Sequence, residues 1–318
     1  MRNGIVIFFL MLLIAGCRKP TVELIAYQAD AHTNLNLHDV FFVNDSVGFI
    51  CGGDKWTKGI FLRTTDGGFT WSVPDSIFNA ACYTLHFFDG TNGIVAGHNS
   101  LFATTTDSGK TFTVSTSDYR PINDISFISP LQGVKAGGEI DAYLGGYVAH
   151  TTNGGQSFVR DSLDGNMTAI QYADAQTVYA SGFGAIYKST NAGQSFFPLD
   201  ARGDFFLSLS APTANTAYFA GYQRLILKTT DGGKTFEKVM KGNAPFSPRE
   251  HFRCIQFIDE YNGVVAGDDG VMYITHNGGD TWNKAKKITT QNIRAIHLFS
   301  KTSGIVVTDG GGVWLFRE

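Results

Sequence analysis

The chain has 318 residues, of which 43% are hydrophobic and 17% charged, with 37 glycines against 8 prolines. Glycine at that frequency in a chain of ordinary hydrophobicity indicates many tight turns between short strands and excludes disorder. A formal net charge of −3 leaves no basic excess to hold a phosphate backbone, which argues against nucleic-acid binding.

Residues 1–16 read as an export signal. Arg2 supplies the positive end, Ile5 to Ile14 form an apolar run too short to span a bilayer comfortably, and Ala15-Gly16 precede Cys17. The segment Leu13-Ile14-Ala15-Gly16-Cys17 resembles the bacterial lipobox. That resemblance implies cleavage before Cys17 and lipidation of it, with about 0.8 kcal/mol per buried methylene holding the chain to a membrane. The alternative is an ordinary signal peptide with an incidental cysteine. Residues 17–21 are then the lipidated cysteine and a short tether, and residues 22–318 a single domain. Arg18 and Lys19 follow the anchor with no acidic run. In lipoproteins of this kind that implies the periplasmic side of the outer membrane over the cell surface. Cys51, Cys82 and Cys254 remain, an odd number without CxxC or zinc spacing; one disulfide is open to them, and small buried residues are expected.

Beyond the tether, one pattern recurs six times: Thr64-Thr-Asp66-Gly-Gly-Phe-Thr-Trp71, Thr105-Thr-Asp107-Ser-Gly-Lys-Thr-Phe112, Thr151-Thr-Asn153-Gly-Gly-Gln-Ser-Phe158, Ser189-Thr-Asn191-Ala-Gly-Gln-Ser-Phe196, Thr229-Thr-Asp231-Gly-Gly-Lys-Thr-Phe236 and Thr275-His-Asn277-Gly-Gly-Asp-Thr-Trp282. The Asp or Asn positions lie 41, 46, 38, 40 and 46 residues apart, the period of a propeller blade. A carboxylate or amide oxygen can accept N–H bonds across a tight turn, the glycine takes a positive φ, and the aromatic packs between sheets. Asn in three copies keeps the turn and drops the charge, which marks the motif as structural.

Before each motif come an apolar run and a glycine-bounded run such as Gly93–Gly97, Gly133–Gly137 and Gly263–Gly267, predicting an all-β, seven-bladed propeller of four-stranded blades. The seventh unit, from Ile293 to Phe316, has three strands and no motif. The β-prone stretch Val22 to Tyr27 is expected to supply its fourth strand, joining the chain ends and covering an open edge.

Aligning the seven units on their glycine-bounded runs puts His38, Tyr83, Asn123, Thr168, Leu207, Arg253 and Arg294 at one channel position. Arginines in consecutive blades would be neighbours, so either internal acids or an anionic ligand such as a partner carboxylate must offset them. A stretch from Glu237 to Phe252 is expected to lead into blade six and bring Arg249, Glu250 and His251 to the same face. The other loops there carry Lys55, Trp56 and Lys58; His98; Glu139, Asp141, Tyr143 and Tyr147; Phe183; Tyr222 and Arg224; and Asp268 and Asp269. Aromatics mixed with arginine are the residues enriched at protein-binding hot spots.

The eight-residue unit resembles the Asp box, or BNR repeat, of sialidase-like and sortilin-like propellers. Sialidases need three arginines, a tyrosine–acid pair and an Arg-Ile-Pro motif, which is missing; Tyr119-Arg120-Pro121 does not replace it. Over residues 22–318 the chain resembles the photosystem II stability and assembly factor-like propellers of plants and cyanobacteria, a resemblance carried by the seven-blade length and the Thr-Thr-Asp-Gly-Gly-x-Thr-Trp units. It implies a non-catalytic scaffold, without cofactor or metal, that binds protein partners; the lipobox implies a heterotrophic envelope setting without the photosystem. The expected protein is thus a monomeric, lipid-anchored envelope propeller binding a protein or glycan. A sialidase-like carbohydrate-active hydrolase using Glu139 or Asp268, and a sortilin-like peptide receptor, are the alternatives.

Overall fold

A computed structural model describes residues 21–72, 78–115, 120–138, 145–201, 205–240 and 250–318. Seven antiparallel sheets follow one another around a central channel. Their innermost strands are Leu37–Phe42, Cys82–Phe87, Ile122–Phe127, Met167–Tyr172, Phe206–Ser210, Phe252–Phe257 and Ile293–Ser300. Each packs against the next, and the last packs against the first. In six blades four strands are paired; blade one has three, extended by the isolated bridges Arg63–Ser72 and Gly59–Phe78.

The glycine-bounded runs are the second strands, and their end glycines have separate steric jobs. A Cβ on Gly93 or Gly133 would lie 2.5 or 2.3 Å from the ring of Phe87 or Phe127, so the first glycine makes room for the aromatic that closes the inner strand. A Cβ on Gly97 or Gly267 would lie 2.2 or 1.8 Å from the carbonyl oxygen of Ala81 or His251. That second glycine admits the backbone entering the inner strand. There the register slips in all seven blades, leaving His38, Tyr83, Asn123, Thr168, Leu207, Arg253 and Arg294 as unpaired bulge residues. A bulge re-aims its side chain, and here all seven line the channel.

The Asp boxes form the turns between third and fourth strands. In the first, Thr64 Oγ1 donates to Asp66 Oδ1 at 2.8 Å and accepts from Gly68 N at 3.1 Å, while Thr70 donates through N and Oγ1 to the two carboxylate oxygens at 3.0 and 2.6 Å. In the Asn copies the polarity of one bond reverses: Asn153 Nδ2 donates to Ser157 Oγ at 2.9 Å. The loop survives the loss of charge because hydroxyls both donate and accept. Box aromatics reach neighbouring blades, as Phe112 does to Phe61 at 5.2 Å and Phe158 to Phe102 at 5.4 Å.

The chain closes as its sequence predicts. Strand Ile25–Ala29 pairs antiparallel with Val313–Arg317, making the outer strand of blade seven. One expectation needs correcting: the stretch from Glu237 to Phe252 is not all connection, because Glu237–Met240 is the fourth strand of blade five, paired with Ile226–Thr229. Its Val239 and Met240 add apolar cover to the blade five–six core, which a connecting loop would not.

Removing the chain through Ala29 should open the Val313–Arg317 edge. The expected outcome is a lower melting temperature and concentration-dependent association, read by thermal unfolding and size-exclusion chromatography; an unchanged monomer with an unchanged melt would refute the closing role of that strand.

Candidate functional site

Bulges and turns together build the channel mouth. After each second strand in blades two, five, six and seven comes a 3-10 turn: His98–Ser100, Tyr222–Arg224, Asp268–Gly270 and Asp309–Gly311. Its first residue stands beside the ring residue of the same blade in three of these. Tyr83 meets His98, Arg253 Nε donates to Asp268 Oδ1 at 2.5 Å, and Arg294 grips Asp309 through Nε at 2.6 Å and Nη2 at 3.0 Å. In blade one His38 Nε2 donates to the Gly53 carbonyl at 3.0 Å.

The two arginines are therefore offset by internal acids. Burial works against ionisation of Asp309, but hydrogen bonds from Arg294 and Asn292 and the charges of Arg294 and Arg253 hold it below the usual carboxylate range. Burial lowers His38, the bond to the Gly53 carbonyl opposing it and the charge of Arg294 adding to it. A guanidinium has five N–H donors; Arg253 uses Nε and Arg294 uses Nε and Nη2 on these acids, leaving further donors on the mouth.

Around the rim, Tyr222 stacks on His251 with centroids 4.2 Å apart, Phe205 lies 5.4 Å from Tyr222, and Phe183 lies 5.0 Å from Phe205. This row crosses blades four to six. Trp56 is 65% exposed and stands edge-on to His98 at 4.2 Å. Three proposed face residues are less available than their sequence position suggested. His98 is buried under Trp56, and Tyr147 is fully buried, its hydroxyl donating to the Pro121 carbonyl. Arg224 is half-buried, bonded to the Tyr273 hydroxyl and paired with Glu250 at 3.4 Å. Cys17, Glu139, Asp141, Tyr143 and Arg249 lie outside the described residues.

One step deeper, the sequence reading missed a second ring. Asp39 and Asp124 are half-buried in the channel wall and accept backbone N–H bonds across blade boundaries, from Leu85 at 2.9 Å and Ile170 at 2.8 Å. Burial pushes Asp39 up to about 6 and Asp124 to about 7, more than these bonds pull them down. Their position, one residue past the aligned ring, was the available signal. At the opposite mouth His86 and His297 flank Phe41 at 5.2 and 6.1 Å, and burial lowers both to about 4. The channel encloses about 360 Å³ between these ends. Cys51, Cys82 and Cys254 are free and buried, with burial raising all three thiols. Among the described residues, no three His, Cys, Asp or Glu side chains converge as a metal site.

Comparison with known proteins supports this architecture. The family described as photosynthesis system II assembly factor YCF48 matches residues 23–116. The photosystem II assembly lipoprotein Ycf48 of Synechococcus sp. (strain CC9902) is 25% identical over 296 residues, covering 88% of this chain and 85% of its own. The chain thus resembles the photosystem II assembly factor propellers. The chloroplastic stability/assembly factor HCF136 of Arabidopsis thaliana is 24% identical over 317 residues, covering 86% of this chain and 74% of its own. The structure of YCF48 from Cyanidioschyzon merolae has the same fold, with a TM-score of 0.71 at 17% identity over 92% of this chain and 98% of that one. These relatives are named as assembly factors and not as enzymes. Asp268, once a candidate catalytic acid, is the ion-pair partner of Arg253.

Two outcomes follow from Asp39 and Asp124. Asp124→Ala strips the cross-blade acceptor from Ile170 N and should cost about 1–3 kcal/mol in denaturant unfolding. With folded-state values raised above 3.8, Asp39 and Asp124 bind protons more tightly in the native state, so the stability they contribute is full below about pH 4 and is lost as pH rises through 6 to 7. Melting between pH 4 and 8 should therefore show a shallower decline in Asp39→Asn/Asp124→Asn than in the parent; parallel curves would contradict the raised values.

Proposed function

We propose that this propeller is an exported, lipid-anchored assembly scaffold of the bacterial envelope, and that it captures a protein segment at the channel mouth. The observation that carries the reading is the bulged ring. Seven bulges aim seven side chains at one opening, and two of these are arginines in adjacent blades with guanidinium donors left over after their internal acids are served. A carboxylate on the partner, from an acidic side chain or a chain terminus, is the group such donors fit.

The aromatic row from Phe183 to His251 and the exposed Trp56 extend this site sideways. Phe205 is 39% and Tyr222 36% exposed, enough to bury large ring area against a partner while staying preorganised by their mutual packing. The relatives' assembly-factor names, and the lipoprotein name of the cyanobacterial one, support both the scaffold role and the anchor at Cys17. The partner here is an envelope protein, since the reading rests on ring chemistry and not on any photosystem component.

Full-length protein used to recover partners from solubilised envelopes tests this directly. Arg253→Gln/Arg294→Gln should lose most of the recovered partner, at least tenfold if each charged contact contributes about 1.5 kcal/mol. Asp66→Asn, on an Asp box, should recover the parental amount. Equal recovery by all three proteins would remove the arginine mouth from the account.

A further inference from the structure

A second surface lies away from the channel mouth. Ile25 is 77%, Tyr27 51% and Phe69 53% exposed. Tyr27 and Phe69 touch, with ring centroids 5.5 Å apart, although Tyr27 belongs to the closing strand of blade seven and Phe69 to the Asp box of blade one. At the corresponding place the other boxes carry Lys110, Gln156, Gln194, Lys234 and Asp280, so blade one alone presents an aromatic there. The acids bordering this patch are engaged: Glu23 pairs with Lys286 at 3.1 Å, and Asp66 is held by Thr70. The surface is mainly apolar and aromatic, with the exposed Arg317 opposite Ile25 on the paired strand.

The chain itself indicates what covers it. Val22 is fixed to blade six by backbone bonds with Lys284 and Lys286. Only residues 18–21 separate it from Cys17, and five residue steps reach at most about 18 Å. That is little more than the width of one four-stranded blade, roughly 14 Å at 4.8 Å between strands. An acyl chain on Cys17 would hold the outer edge of blades six and seven at the bilayer surface, where Val22 lies three residues from Ile25 and five from Tyr27. Aromatic and aliphatic side chains without charge are suited to the interface between headgroups and acyl chains.

We propose that the Ile25–Tyr27–Phe69 patch lies against the bilayer that holds the lipid of Cys17, seating the propeller on its edge and leaving the arginine mouth open to partners. This rests on the anchor reading above. It needs no anionic lipid.

Hydroxyl-radical footprinting of the full-length lipidated protein in phosphatidylcholine vesicles, against a soluble Cys17→Ala form, tests it. Tyr27 and Phe69 should be oxidised severalfold more slowly on vesicles, while Leu131 and Phe197, exposed on blades three and four, keep their rates. Vesicle-bound protein with unprotected Tyr27 and Phe69, or with Leu131 and Phe197 protected instead, would overturn the seating and leave the anchor standing. Full-length protein that fails to stay with vesicles, as Cys17→Ala must, would overturn the anchor and the seating together.

Discussion

The inner strand of each blade has one edge with no strand beside it, and those edges converge on the channel. Backbone N–H groups left there without acceptors would each cost a desolvation penalty. The propeller meets the demand with side chains of the preceding blade: Asp39 serves Leu85, Asp124 serves Ile170, Ser126 serves Tyr172, Gln171 serves Ala211, Ser208 and Ser210 serve Ile255 and Phe257, and Gln256 serves Leu298. Each bond ties one blade to the next, so the condition that satisfies the edges also fixes the spacing of the ring. The bulges are consequences of the same geometry. In blades one to six a carbonyl packs on the second-strand glycine where the register slips, and in all seven the slip turns the ring residue to the mouth.

This constraint explains how far the sequence could be read. The boxes were legible because a turn with a positive φ and a shared acceptor admits few residue types, and six copies in register together with the boxless seventh unit set the blade count. Closure by the N-terminal stretch was legible because the seventh unit lacked a strand, although the strand runs Ile25–Ala29 and Val22 bridges to blade six instead. Asp39 and Asp124 were not, because blade-to-blade bonds join residues some 46 positions apart and a polar residue on an inner strand looks like any channel-facing one. His98, Tyr147 and Arg224 were placed on the right loops, but a loop position does not say which way a side chain folds back. The arginine pair shows the opposite case. Two readings were open from charge alone, and the turn acids Asp268 and Asp309 show how the charges are offset internally while spare donors remain.

The two ends and the edge of the molecule thus carry different chemistry. The boxes hold turns together and keep their carboxylates in local bonds, as Thr70 holds Asp66 at about 2. The bulged mouth gathers guanidinium donors beside a row of stacked rings. The far mouth gathers neutral histidines and phenylalanines. Tethered at its edge as proposed, the propeller would present the mouth without moving any part of the fold, which suits a rigid assembly platform better than a catalyst requiring closure around a substrate.

Partners are proposed to meet the propeller at its bulged mouth. Site-specific photo-crosslinking in intact envelopes tests it most directly, with a photoreactive residue placed in turn at Tyr222, Trp56 and, on the box side, Leu131. Capture of one and the same envelope protein from Tyr222 and Trp56, and nothing from Leu131, is the predicted result. Capture from Leu131 with none from the mouth positions would contradict it.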